Sequence, residues 1–176
     1  SDTRDAVRGY VGNPHVPIFK KSNGKMDLSK VTGDTGFLNV VKDIGLKEPY
    51  VGCVDLVSGE IADDLASYFV VSEQIPTAIS LGETFAKEGT VTAAGGYIIQ
   101  LMPGASEETL SKIEEKILIY PTVSELLSDG DSIEDILRMI LGSFDMHIVE
   151  DSPIEYRCNC SRYRMETNIL ALGKEE

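Results

Sequence analysis

The apolar periodicity of this chain changes at Pro103-Gly104, and that switch limits the folds open to it. Before it, short β-prone runs at 6–11 (AVRGYV), 36–41, 50–57, 77–81 and 90–102 are separated by turn clusters such as Gly12-Asn13-Pro14. One helix interrupts them. Ile61, Leu65, Tyr68 and Phe69 fall at i, i+4, i+7 and i+8, behind the polar start Ser58-Gly59-Glu60. Asp63 and Asp64 occupy its first turn, where the helix dipole favours anions. Strands with one embedded helix predict an α+β body with a mixed β-sheet.

From Ser106 onward the period is helical. Ser106 reads as an N-cap with Glu107 and Glu108 in the first turn, and Leu110, Ile113 and Ile117 share one face. Pro121 ends that helix, and Thr122-Val123-Ser124-Glu125 is a capping-box pattern opening a second, which Gly130 closes. Asp131-Ser132-Ile133-Glu134 opens a third, with Ile133, Ile136, Leu137, Ile140 and Leu141 on one face and Gly142 as its end. Each helix is near or below the length at which an isolated helix persists, so packing against the strand body must hold it.

Charge follows the same division. Of a net −13, residues 106–155 carry three bases and 13 acids, whereas 1–105 carry nine bases and 13 acids, and 156–176 four bases and three acids. Self-repulsion of the middle stretch disfavours compaction. This pattern predicts a compact β-rich core domain over 1–105, a labile acidic helical linker over 106–147 and a short tail from 148 to 176.

Composition removes several classes of function. Fifty residues are Leu, Ile, Val or Phe, enough for a sizeable core and too many for a disordered chain. Clustered Lys and Arg of the kind that bind a phosphate backbone are lacking, so no nucleic-acid partner is expected. The apolar runs are far too short to cross a bilayer, and no basic-then-apolar leader marks the chain for secretion.

Few residues could carry chemistry. His15 and His147 have no nucleophile near them in sequence and read as incidental. Gly95-Gly96 lacks the spacing and the lysine of a phosphate-cradling loop; close backbone packing or a bulge explains it better. Asp63/Asp64 and Glu114/Glu115 are neighbours in sequence, point apart around a helix, and read as solvated faces rather than a catalytic dyad. Cys53 reads as a small buried hydrophobe in its strand. Cys158 and Cys160 differ: the segment Arg157-Cys158-Asn159-Cys160-Ser161-Arg162 is polar, and two thiols one residue apart can present both sulfurs to one metal. Arg157, Arg162 and Arg164 are cations that favour thiolates. A functional pair and a chance pairing weigh about evenly on spacing alone, since a structural zinc needs four ligands.

The blocks VRGYVGNP (7–14), VVKDIGL (40–46), LVSGEIADDLASYFVVSEQIP (56–76), AAGGYIIQLMP (93–103) and Cys158-Asn159-Cys160 resemble, in order and spacing, the bacterial redox-regulated heat-shock chaperones of the thirty-three-kilodalton class. The stretch Leu81-Gly82-Glu83-Thr84-Phe85 departs from the more apolar strand usual there. The resemblance implies a cytoplasmic, ATP-independent holdase, not an enzyme, that binds unfolded client proteins under oxidative stress. It implies that Cys158 and Cys160 are both redox-active and zinc ligands in the reduced form, with two further cysteine ligands outside this chain. Residues 148–176 would then begin a Cys-rich zinc domain, and the chain would be truncated at both ends relative to the family. Oxidation would join each cysteine pair in a disulfide, release Zn2+, loosen the linker and yield a client-holding homodimer. Structural zinc contributes about 10–16 kcal/mol of folding free energy, so a segment held by it unfolds when its thiolates are lost. A disulfide across so small a ring is strained and readily reduced. Residues 106–147 are thus expected to detach on activation and uncover apolar surface on the body.

Two rival readings remain at this level. One is a thiol–disulfide oxidoreductase exchanging through Cys158 and Cys160, against which stands the usual C-x-x-C spacing at a helix start. The other is a zinc-ribbon binding module for nucleic acid, which the charge disfavours.

Overall fold

The computed structural model describes residues 5–17, 19–22, 26–157 and 161–172. Its order of elements is β1 (Asp5–Val7), α1 (Ser29–Thr32), β2 (Phe37–Lys42), β3 (Tyr50–Asp55), α2 (Ile61–Val71), β4 (Thr77–Phe85), β5 (Val91–Gln100), α3 (Glu107–Ile119), α4 (Val123–Asp129), α5 (Ile133–Leu141), β6 (Ile154–Tyr156) and α6 (Arg162–Leu172). This is the α+β class that the change of period predicts. The chain divides into two compact units, one of residues 16–146 and one that joins residues 1–15 to 147–176.

Within the larger unit, β2 and β3 form an antiparallel hairpin, as do β4 and β5. The β2–β3 connection turns at Gly45, whose backbone N–H donates to Asp43 Oδ1 at 3.0 Å. In β3, Gly52 and Val54 point inward, while Val51, Cys53 and Asp55 point out. Cys53 is therefore exposed, not the buried hydrophobe expected. Alternation decides this: Tyr68 of α2 sits so close over Gly52 that a Cβ there would lie 2.7 Å from the ring, and the inward face cannot include position 53 as well.

Helix α2 begins as its spacing predicts, but its acids do more than face solvent. Asp64 is buried, and its carboxylate accepts from the backbone N–H of Val57 (2.7 Å) and Ser58 (3.1 Å). Asp63 Oδ2 accepts from the Ser58 hydroxyl at 3.1 Å. The pair fastens the β3–α2 loop, correcting the solvated-face expectation for Asp64. The loop also needs Gly59: its φ is +75° and a Cβ would meet the Gly33 carbonyl oxygen at 2.3 Å. The helix ends where Gln74, at φ +57°, turns the chain so that Ile75 N–H reaches the Phe69 carbonyl at 3.0 Å.

Of the three helices after Pro103-Gly104, α4 and α5 lie on the β4–β5 hairpin and α3 packs on α5. Val123 and Leu126 of α4 and Ile136 and Ile140 of α5 form the buried cluster, with Tyr97, Ile99, Ile117 and Leu127 packed around it. Their starts are held by the side chains the capping patterns predict. Thr109 N–H donates to Ser106 Oγ at 3.2 Å, and Glu125 accepts from Thr122 N–H (2.8 Å) and hydroxyl (2.7 Å). The second capping box is Ser132 with Asp135, one residue later than the expected opening at Asp131: Asp135 N–H donates to Ser132 Oγ at 3.2 Å, and Asp135 Oδ2 accepts from Ser132 N–H at 3.1 Å. Glu114 and Glu115 are exposed, as expected.

The smaller unit is built on β1 and β6, which pair in parallel, Val7 opposite Tyr156. The expected strand over 6–11 stops at Val7; the run of Gly9, Gly12, Asn13 and Pro14 gives residues 8–17 no regular structure. Strand β6 and helices α1 and α6 were absent from the periodicity reading. Three- and four-residue elements are too short to show a period, and α6 has no apolar stripe.

Candidate functional site

Cys158 and Cys160 lie outside the described residues, but their covalent neighbours do not. Strand β6 ends at Tyr156, and Arg157 N–H donates to the Val7 carbonyl at 3.1 Å. On the other side, Ser161 caps the start of α6: its Oγ accepts from Arg164 N–H at 3.2 Å and its carbonyl from Met165 N–H at 3.1 Å. The thiol pair is thus bracketed in sequence by a strand and a capped helix start.

The nearby cations are partly committed. Arg157 pairs with Glu155 at 3.1 Å and Arg162 with Glu166 at 2.7 Å. Arginines favour thiolate less than their number suggests when carboxylates pair with them. Among the described residues no group of three or more His, Cys, Asp or Glu could hold a metal ion. Cys158 and Cys160 would supply half of a tetrahedral thiolate set. His15 donates its backbone N–H to Asn13 Oδ1 at 3.1 Å in an exposed turn. Cys53, on the outward face of β3, belongs to the other unit.

The second part of the candidate site is the seam between the helices and the body. The C-terminal end of α2, the start of β4, the end of β5 and one face of α3 line a half-open cleft of about 270 Å³. Val70, Ile99, Leu110, Ile113 and Ile117 give it an apolar lining, and Glu114 stands at its edge. Lifting α3 to α5 would expose this lining together with Tyr97 and Ile99. Exposed Leu81, Phe85, Val91 and Ile98 already lie on the two strands. Leu81 and Ile98 are on the face of the hairpin turned away from the helices, opposite Tyr97 and Ile99.

A polar network that sequence reasoning missed joins α2 to the β2–β3 hairpin. The Tyr68 hydroxyl donates to Glu73 at 2.6 Å, and Lys42 at the end of β2 makes an ion pair with the same carboxylate oxygen. The Lys42 ammonium also lies 5.8 Å from the Tyr68 ring centre and 5.7 Å from that of Phe69. The bond to Glu73, together with burial, pushes the Tyr68 phenol up to about 12. Lys42, and then Tyr68, hold Glu73 below the usual carboxylate range. Lys42 and Glu73 are 31 residues apart, and nothing local marks the pair.

Comparison with known proteins agrees with this architecture. The family model described as Hsp33 protein matches residues 1–176. The 33 kDa chaperonin of Acetivibrio thermocellus is 54% identical over 175 residues, which are 99% of this chain and 59% of that protein. The 33 kDa chaperonin of Thermoanaerobacter sp. (strain X514) is 51% identical over 170 residues, 97% of this chain and 58% of the other. The chain thus spans less than two thirds of these curated relatives. Among solved structures, the 33 kDa chaperonin (heat shock protein 33 homolog) from Thermotoga maritima superposes with a TM-score of 0.82 at 40% identity, covering 94% of this chain and 56% of that one. With a match that runs over every residue and a fold shared with a solved member, this chain belongs to the Hsp33 family.

Proposed function

We propose that this chain forms the body, the linker and the first thiol pair of an ATP-independent holdase that binds unfolded client proteins in the cytoplasm under oxidative stress. The observation that carries the reading is the helical layer itself. The helices α3 to α5 are capped one by one, acidic on their outer side, and attached to the β4–β5 hairpin through a small apolar cluster. A releasable cover requires low local stability, which self-repulsion of these acidic helices would supply once the segment after β6 is freed.

The control would reside in Cys158 and Cys160. Zinc, when bound by these two and two further cysteines of the full-length protein, would keep the sulfurs as thiolates and tie down the segment after β6. Oxidation of Cys158 and Cys160 forms one S–S bond, gives two electrons to a peroxide or comparable oxidant, and leaves no thiolate in the pair. Residues 106–147 would then leave the body and expose the β4–β5 face, and the oxidised protein would associate as a homodimer. The test is suppression of aggregation of a denatured client by the full-length protein, without nucleotide, before and after peroxide. Stoichiometric suppression only after peroxide supports the reading; equal suppression in both states, or none, overturns it.

A thiol–disulfide oxidoreductase gains one specific observation, the strand–thiol pair–capped helix order around Cys158 and Cys160. Catalytic turnover of a small disulfide substrate would favour it over stoichiometric holding.

A further inference from the structure

Helix α4 sits on the β4–β5 hairpin where two glycines face one another. Gly82 of β4 is directly opposite Gly95 of β5, and both lie on the side covered by the helices. The two are not equivalent. A Cβ on Gly82 would meet the backbone nitrogen of Ser124 at 2.4 Å, Ser124 Oγ at 2.8 Å and the Val123 carbonyl carbon at 2.9 Å. A Cβ on Gly95 would meet only the end of Leu127, at 3.6 Å, an ordinary contact. Neither glycine has left-handed backbone, so alanine fits the strand at both positions.

The clash at Gly82 is with main chain in the first turn of α4, which cannot swing aside as a side-chain tip can. Val123 there is almost fully buried in the cluster shared with Ile136 and Ile140, so a shift of α4 disturbs α5 as well.

We propose that Gly82 is the positioning residue that seats the helical layer: the bare backbone at this one point lets α4 close on the hairpin, and a single methyl there releases α4 and α5 without touching the thiols. The claim about seating stands on the contacts above; its consequence for client holding rests on the function proposed for this chain.

The experiment compares Gly82→Ala with Gly95→Ala in the reduced, full-length protein. The two variants make the same chemical change in the same cross-strand pair, so generic strand effects are shared between them. Hydrogen exchange read over 123–141 should accelerate about tenfold or more in Gly82→Ala and stay near wild type in Gly95→Ala, with 77–100 protected in both. Equal acceleration in the two, no acceleration in Gly82→Ala, or loss of protection in the hairpin itself overturns the proposal. Client aggregation measured on the same samples separates the two ideas. Helices freed in Gly82→Ala with holding that no longer needs peroxide support both. Helices freed with no holding leave Gly82 as the seat and count against the holdase reading.

Discussion

The Tyr68 hydroxyl, on a side chain with no solvent exposure, donates to Glu73 at 2.6 Å, and Glu73 in turn is the counter-ion of Lys42. One carboxylate thereby ties the helix α2 both to its own end and to strand β2. Tyr68 holds its proton up to about 12, against about 10 for a free phenol. A raised value in the folded state means stability that is complete below pH 10 and is lost as pH climbs towards 12. Alkaline unfolding followed by circular dichroism should show this slope, and Tyr68→Phe should flatten it while lowering neutral stability by about 1 kcal/mol. An unchanged slope in the variant would place the alkaline transition elsewhere.

Acid acts on the helical layer through the capping box of α5. Ser132 donates to Asp135 and holds its carboxyl below the usual range. The lowered value contributes stability above the ordinary carboxylate range, and this is lost as pH falls through the folded-state value. Ser132→Ala should destabilise the layer by about 1 kcal/mol at neutral pH and shrink its acid sensitivity. Exchange over 133–141 is the readout.

Ile136 has 0% exposure at the centre of the cluster that anchors the layer. Ile136→Ala should destabilise the packing by about 2–5 kcal/mol. Binding of an apolar dye by the reduced protein should rise if the layer covers apolar surface; a variant that unfolds less readily than wild type would contradict the packing described.

The cysteines divide by position in the chain. Cys53→Ser should leave folding within about 0.5 kcal/mol of wild type, because the side chain lies on an open strand face. A thiol reagent should label Cys53 in the native protein without denaturant. Cys158→Ser with Cys160→Ser should abolish the peroxide dependence of client holding in the full-length protein. If that double variant still switched on only with peroxide, the thiol control would be refuted.

Much of this was legible in the residues. The i, i+4, i+7 spacing of α2 and the Thr122–Glu125 box of α4 appear where local chemistry puts them, because caps and stripes act over a few residues. The opening of α5 falls one residue later than expected because Asp131 and Ser132 are both good caps, and only the hydrogen bonds of Ser132 and Asp135 decide between them. Cys53 and Asp64 were misjudged for one shared reason: which way a strand or loop side chain faces depends on a partner far off in sequence, here Tyr68 for the strand and the β3–α2 loop for the acid. The parallel pairing of Asp5–Val7 with Ile154–Tyr156 spans nearly the whole chain and leaves no local trace. The thiol pair was visible as a motif, and the ion pairs of Arg157 and Arg162 that temper its surroundings were not.

The helices α3, α4 and α5 each start on their own cap and are separated by only a few residues. Contacts so close along the polypeptide form quickly, since little loop entropy stands in the way. A lid assembled from such pieces has no long search to make before it shuts again. If these helices are the cover of the proposed thiol switch, their closure after reduction should outpace the escape of a bound client, and departure of cargo rather than rebuilding of the lid would set the pace of recovery.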